Sequence, residues 1–167
     1  MPPDLRFPSV RFPSVTGRTL SGDDWNLPYD LPASRTLAVV AFKQQQQACV
    51  DRWIARAVAD GVPPTTRGAA APSTVAVVEI PVLSTRWRPA RRFIDGGMTS
   101  GIGDPDVLAR TVTVYTDVKA FQRSLSIADS DSVHALVLSR DGAVLARGHG
   151  EPDDVSWALL STALNQP

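Results

Sequence analysis

Thr36-Leu37-Ala38-Val39-Val40-Ala41-Phe42 is an uninterrupted apolar run, and it passes directly into Lys43 and four glutamines, Gln44, Gln45, Gln46 and Gln47. A run of this length predicts a strand buried on both faces, as in the centre of a parallel or mixed sheet. Beyond the glutamines, Val50, Trp53, Ile54, Ala57 and Val58 recur with helical spacing, and Asp51, Arg52 and Arg56 fall outside the stripe. Gly61 and the pair Pro63-Pro64 end that helix. The chain therefore offers a core strand, a short polar junction and an amphipathic helix.

Toward the C-terminus the pattern repeats. Residues 61–73 are rich in Pro, Gly, Ala, Thr and Ser and predict a loop. Residues 75–80 predict a second core strand. Residues 88–93 predict a helix ended by Gly96-Gly97, and 98–105 a glycine-bearing loop. A third strand is expected over 111–115, a short helix over 119–125 and a fourth strand over 133–138. Asp141-Gly142 marks a hairpin turn into a fifth strand over 143–147. Pro152 is expected as the first residue of a last helix, with Asp153 and Asp154 behind it and Val155, Leu159, Leu160 and Ala163 on its apolar positions.

Toward the N-terminus, Arg6-Phe7-Pro8-Ser9-Val10 is repeated at once as Arg11-Phe12-Pro13-Ser14-Val15. Each proline lacks an amide donor, so this stretch can only be an edge strand or an extended arm. The first copy reads as part of a flexible arm over 1–11, the second as the start of one domain over 12–167. A turn at 16–18 and a return over 20–25 complete an N-terminal β-hairpin, and prolines keep 26–34 irregular. The sum is an α/β fold: three crossover units and a hairpin, forming a mixed central sheet flanked by helices.

Composition narrows the function classes. The 167 residues carry 17 Lys plus Arg and 17 Asp plus Glu, a formal net charge of zero. That lacks the footprint of a nucleic-acid binder and suits anionic lipid poorly. One cysteine excludes an intramolecular disulfide, a CxxC pair and a Cys-rich zinc site, and two histidines leave little for a metal centre. No metal or cofactor is implied. The N-terminal residues have no apolar signal region, and no run approaches the roughly 20 apolar residues that span a bilayer. The expected location is the cytoplasm, with an unidentified protein partner and a homodimer as one arrangement.

The order of elements resembles the thioredoxin-like superfamily in its peroxiredoxin-like (AhpC/TSA-type) variant. Phe12-Pro13-x-Val15-x-Gly17-x-x-Leu20 resembles the N-terminal hairpin of that superfamily. The run from Leu37 to Phe42 resembles the strand that delivers its active-site loop. Val137-Leu138-Ser139-Arg140-Asp141-Gly142-Ala143-Val144 resembles its C-terminal hairpin, and Tyr115-Thr116-Asp117 before a short helix also fits. The resemblance implies a redox site at the start of the first helix, as CxxC or Thr/Ser-x-x-Cys. Here that place reads Lys43-Gln44-Gln45-Gln46-Gln47-Ala48-Cys49, with Gln46 three residues before the cysteine. The family's proline before the fourth strand would fall near Val133, where there is none. The stretch from Val75 to Gly150 is also similar to the mitochondrial ATP synthase assembly factor family, which has this fold without redox cysteines.

Cys49 is the candidate nucleophile. It lies in the first turns of the helix between Lys43 and Arg52 in sequence, although deeper than a one-turn dipole effect favours, and it borders the apolar stripe. A packing thiol is the expectation, a reactive one the alternative. Lys43 and Gln44, Gln45, Gln46 and Gln47 are the candidate binding residues, because ligands collect at strand C-terminal ends; a solvated helix start is the plainer reading. Arg86, Trp87, Arg88, Arg91 and Arg92 form a basic cluster that reads as a solvated face pairing with acids such as Asp95. His149 stands before Glu151, Asp153 and Asp154 without metal-ligand spacing, and His134 is expected as a hydrogen-bonded core histidine. The expected function is a redox-inactive binding or assembly module. The alternatives are a single-cysteine peroxiredoxin-like oxidoreductase using Cys49, and a small-molecule site at the 43–47 end.

Overall fold

The computed structural model describes residues 10–64, 74–101 and 103–166. The second copy of the pentapeptide leads into a hairpin, β1 (Val15–Thr19) and β2 (Asp24–Leu27), paired antiparallel from Val15↔Leu27 to Arg18↔Asp24. The apolar run forms β3 (Arg35–Ala41), a 3-10 turn takes Gln44–Gln46, and α1 (Gln47–Ala59) follows. β4 (Val75–Ser84), α2 (Arg91–Gly101), α3 (Pro105–Arg110) and β5 (Val112–Thr116) come next. α4 (Val118–Ser124), β6 (His134–Ser139), β7 (Val144–His149) and α5 (Asp154–Asn165) complete the chain.

The seven strands form one mixed sheet in the order β2-β1-β5-β4-β3-β6-β7. β3 and β4 run parallel, as do β4 and β5, while β6 lies antiparallel to β3, with Arg35 opposite Ser139 and Val40 opposite His134. Strand alternation divides the core in two. Leu37 and Val39 of β3, Val77 of β4 and Val137 of β6 face α1 and α5, where they meet Trp53, Ile54, Trp157 and Leu160. Ala38, Val40, Ile80 and Leu138 face the opposite side, where Phe12, Leu27, Phe121 and Leu125 cover them. β3 is central because it contributes to both clusters, as its unbroken apolar run predicts.

Several elements differ from expectation. Two crossovers join parallel strands; the third, through α4, crosses the sheet and delivers β6 antiparallel to β3. β4 continues past Pro81 to Ser84, a 3-10 turn takes Thr85–Ala90, and α2 runs through Gly96 and Gly97 instead of ending there. Each helical glycine costs about 1 kcal/mol relative to alanine, which does not by itself stop a helix. The loop expected over 98–105 holds the end of α2 and the start of α3, whose cap is the Asp104 carboxylate accepting from Asp106 N, with Pro105 in the first turn. Pro152 lies before the last helix rather than at its first position. Asp153 is the cap there, accepting from Ser156 N at 2.8 Å. The fifth strand begins at Val144 and reaches His149. Val58, expected on the apolar stripe of α1, is 36% exposed.

Residues 1–9 of the expected arm and 65–73 of the expected loop lie outside the described residues. Val10 packs against the core, and Arg11 bridges to Ala143 beside the β6–β7 turn. At that turn Gly142 has φ +88, and a Cβ there would stand 2.5 Å from Pro28 Cγ. Conformation and close approach both require glycine.

Candidate functional site

β3 and β4 deliver the chain to one edge of the sheet, where the junction at 42–49 stands. Gln46 is buried and acts as an internal strut. Its Oε1 accepts from Phe42 N at 2.8 Å and Lys43 N at 3.2 Å, and its Nε2 donates to Ser130 O at 2.7 Å. One amide thus satisfies two backbone donors left open where the strand ends, and ties the junction to the loop before β6. Gln47 Nε2 donates to Glu79 Oε1 and to Asp51 Oδ1, both at 2.9 Å. Lys43 Nζ pairs with Asp131 at 2.6 Å on the surface. Gln44 and Gln45 are exposed, and among the described residues their side chains make no hydrogen bond.

Cys49 is the third residue of α1 and the sixth of the continuous helical stretch opened by the 3-10 turn. It is partly buried, and its Sγ donates to Gly150 O at 3.2 Å. Trp53 Nε1 donates to the same carbonyl at 2.8 Å. Burial pushes the thiol above its ordinary pKa, and the negative charge of Glu151 adds to this. Arg52 works the other way, but its guanidinium is held by Glu151 in a two-pronged contact at 2.7 and 2.5 Å. The cation that would favour a thiolate is thus already neutralised, and the proton is held on sulfur.

Sequence reasoning missed Glu79, a buried acid on central strand β4. Burial raises its carboxyl pKa, the Gln47 hydrogen bond opposes that rise, and Asp51 adds to it. An acid inside the otherwise apolar run 75–80 was the available signal. Also missed were the backbone partners supplied by Ser130 and Gly150.

The basic cluster lies at the end of β4 on the same edge. Arg88 donates to Tyr115 O at 3.1 Å, and Arg91 stands 4.0 Å from Asp95. Asp95 in turn accepts from Tyr115 Oη at 3.0 Å. Arg86 sits over the Trp87 ring at 5.2 Å. Arg86 and Arg92 make no ion pair among the described residues. Trp87 is 48% and Phe93 87% exposed.

The histidines occupy the other half of the sheet. His134 and His149 are cross-strand partners with rings stacked at 6.0 Å. His134 is half-buried, and among the described residues its side chain stacks on His149 and makes no hydrogen bond. Burial, followed by the charge of Arg147, lowers its pKa to about 4, so the ring is neutral. The carboxylates after His149 have other work: Glu151 holds Arg52, Asp153 caps α5 and Asp154 pairs with Arg56 at 2.6 Å. Among the described residues no group of three or more His, Cys, Asp and Glu could hold a metal ion, and no helix is long and apolar enough to cross a membrane.

No protein-family model matches the sequence, and no curated protein matches it. Solved structures do match the fold. BsSco, a member of the Sco family of cytochrome c oxidase assembly proteins, superposes with a TM-score of 0.57 at 12% identity over 95% of this chain and 96% of its own. An exposed lipoprotein thioredoxin from Streptococcus pneumoniae strain TIGR4 gives 0.57 at 8% identity, over 92% of this chain and all of its own. A thioredoxin-like protein from Aeropyrum pernix gives 0.52 at 10% identity, over 90% and 89%. The fold is thioredoxin-like.

Proposed function

We propose that this chain is a thioredoxin-like domain without thiol–disulfide activity, serving as a protein-binding or assembly module. The observation that carries this reading is the state of Cys49. The sequence's one thiol donates to Gly150 O, its pKa is raised, and the neighbouring guanidinium is committed to Glu151. Thiol attack requires thiolate, and a dithiol exchange requires a second cysteine.

The peroxiredoxin-like resemblance supports descent from a redox scaffold in which Gln46 now stands three residues before the cysteine. The similarity to the mitochondrial ATP synthase assembly factor family supports an assembly role, as does the fold likeness to a cytochrome c oxidase assembly protein. We place the partner-binding edge at Lys43, Gln44 and Gln45 together with Trp87, Arg92 and Phe93. Gln46 supports that edge from within, and Gln47 ties it to Glu79 and Asp51. Exposed Trp and Arg are the residue types that dominate binding energy at interfaces. A lone unpaired thiol fits a reducing compartment, so we propose the cytoplasm.

The single-cysteine oxidoreductase reading rests on the place of Cys49 in the first turn of α1. The two readings separate on the rate at which native protein reacts with a small thiol reagent between about pH 5 and 9. A slow reaction, with a midpoint above the free-thiol value of about 8.5 and release on denaturation, is the expected result. Fast reaction below that value, with peroxide turnover abolished by Cys49→Ser, would restore the enzyme.

A further inference from the structure

At the end of β3 remote from Cys49, the start of the strand and the β6–β7 turn border a wide-open cleft of about 520 Å³ lined by Tyr29, Ser34, Arg35, Ser139, Arg140 and Asp141. That volume is within the range of small-molecule sites. Arg35 stands directly opposite Ser139 in the β3–β6 ladder, so Ser34 and Arg140 continue the two strands off the end of the sheet.

The walls are fixed from both sides. Gly142 closes the β6–β7 turn against Pro28, and Ser139 Oγ accepts from Ala143 N at 3.0 Å. Facing it, Asn26 N donates to the Asp30 carboxylate at 2.6 Å and Leu31 N to Pro28 O at 3.1 Å, holding the turn that carries Tyr29. The Tyr29 side chain is 70% exposed, an aromatic face with nothing covering most of it.

The charges are not balanced. Arg11 contacts one Asp141 oxygen at 2.6 Å, and the Ser139 hydroxyl donates to the other. The hydroxyl first, and Arg11 after it, keep this carboxyl below its usual pKa, so it is ionised and matched to Arg11. Arg35 and Arg140 make no ion pair among the described residues. Arg35 donates from one terminal nitrogen to the adjacent Ser34 O at 3.1 Å, while its Nε is buried with no hydrogen-bond partner among the described residues. The buried Nε is closed to a ligand, so the demand for an anion comes from the terminal nitrogens of Arg35 and from Arg140, neither residue having an ion-pair partner among the described residues.

We propose that this cleft binds a small organic anion, its phosphate or carboxylate group held by Arg35 and Arg140 and its apolar body resting on Tyr29. The guanidinium fork matches either oxyanion in bidentate geometry. The proposal is independent of the state of Cys49 and of the partner-binding edge.

The test is calorimetric or NMR titration of the full chain at low salt with phenyl phosphate, benzoate and inorganic phosphate. Saturable binding is expected for at least one aryl anion, and the tighter of phenyl phosphate and benzoate assigns the anionic group. Arg140→Gln and Arg35→Gln should each weaken it by about tenfold, the scale of one charge-assisted hydrogen bond. Tyr29→Ala should weaken the aryl anions and leave inorganic phosphate unchanged. Arg140 is an exposed turn residue, so its variant keeps the test sound even if Arg35→Gln unfolds β3. Absence of saturable binding by all three probes overturns the proposal. So does binding that survives Arg140→Gln, or that falls equally in the remote Arg92→Gln.

Discussion

Two helices follow neighbouring parallel strands at the same edge of the sheet, and they are held in opposite ways. α1, after β3, buries Val50, Trp53, Ile54 and Ala57 against the sheet and α5. The segment after β4 buries no side chain in its 3-10 turn and none over residues 91–98 of α2. It is held instead by a polar latch: Arg88 to Tyr115 O, Tyr115 Oη to Asp95, and Arg91 beside the same carboxylate. A buried stripe makes a helix part of the core, and its polar junction can then be used up internally, as Gln46 is. The latched helix half-buries Ile94 and Met98 and leaves Phe93 outward, available to another molecule.

Trp53→Ala should have the largest effect, because the ring is fully buried and its indole N–H is bonded to Gly150 O. A loss of about 3–5 kcal/mol in chemical denaturation is expected. A loss under about 1 kcal/mol would remove α1 from the core and break the comparison at its firmer side. Gln46→Ala comes next. It strands the Phe42 and Lys43 donors and cuts the tie to Ser130, which should cost about 1–3 kcal/mol. If Gln46 were instead a solvated residue, its replacement would change stability by no more than about 0.5 kcal/mol.

The same contrast explains what could be read from the sequence. β3 and α1 were legible because burial on two faces and on one stripe leaves periodic marks in 36–58. The 85–110 stretch was legible only in part: a helix over 88–93 is expected and one is there, but neither its length nor the start of α3 is expected. Pro89, Gly96 and Gly97 punctuate it as a loop would, and its apolar positions, Ile94 and Met98, are too few and only half-buried to outweigh those signals. The role of Cys49 was half legible: its closeness to the apolar stripe showed. The groups that hold its proton, Gly150 and Glu151, lie about a hundred residues away in sequence and reach it only through the fold. Gln46 was read as one of four equivalent glutamines because its partner, Ser130, is 84 residues distant.

Tyr115→Phe removes the hydroxyl contact of the latch and leaves Arg88 on the Tyr115 carbonyl and Arg91 beside Asp95. Its hydroxyl donates to a partly exposed carboxylate, so a loss of about 1 kcal/mol is expected. Faster amide exchange should appear over 91–101, with α1 unchanged. Alkaline pH should act the same way. Burial, and then the charge of Asp95, raise the phenol pKa in the folded state, so the folded chain keeps this proton longer than the unfolded one. The latch therefore contributes fully below the ordinary tyrosine value of about 10 and is lost as pH rises through the folded value. Protection over α2, taken relative to the base-catalysed intrinsic exchange rate, should fall above about pH 10 in the wild type and stay flat in Tyr115→Phe. Equal pH dependence in both proteins would show that another group governs α2.

Phe93→Ser should change stability least. The ring is 87% exposed and has no place in either core cluster, so the unfolding free energy should stay within about 0.5 kcal/mol of wild type. The change belongs in surface behaviour: weaker binding of an environment-sensitive apolar dye, and less retention on an apolar column. A loss of more than about 1 kcal/mol would mean that Phe93 is packed in solution. In that case α2 is held by burial after all, the two helices are alike, and the partner-binding edge loses its principal apolar contact. A stable variant with reduced dye binding would instead leave Phe93 as an anchor whose burial awaits a second molecule, because so large an apolar face gains free energy when it leaves water.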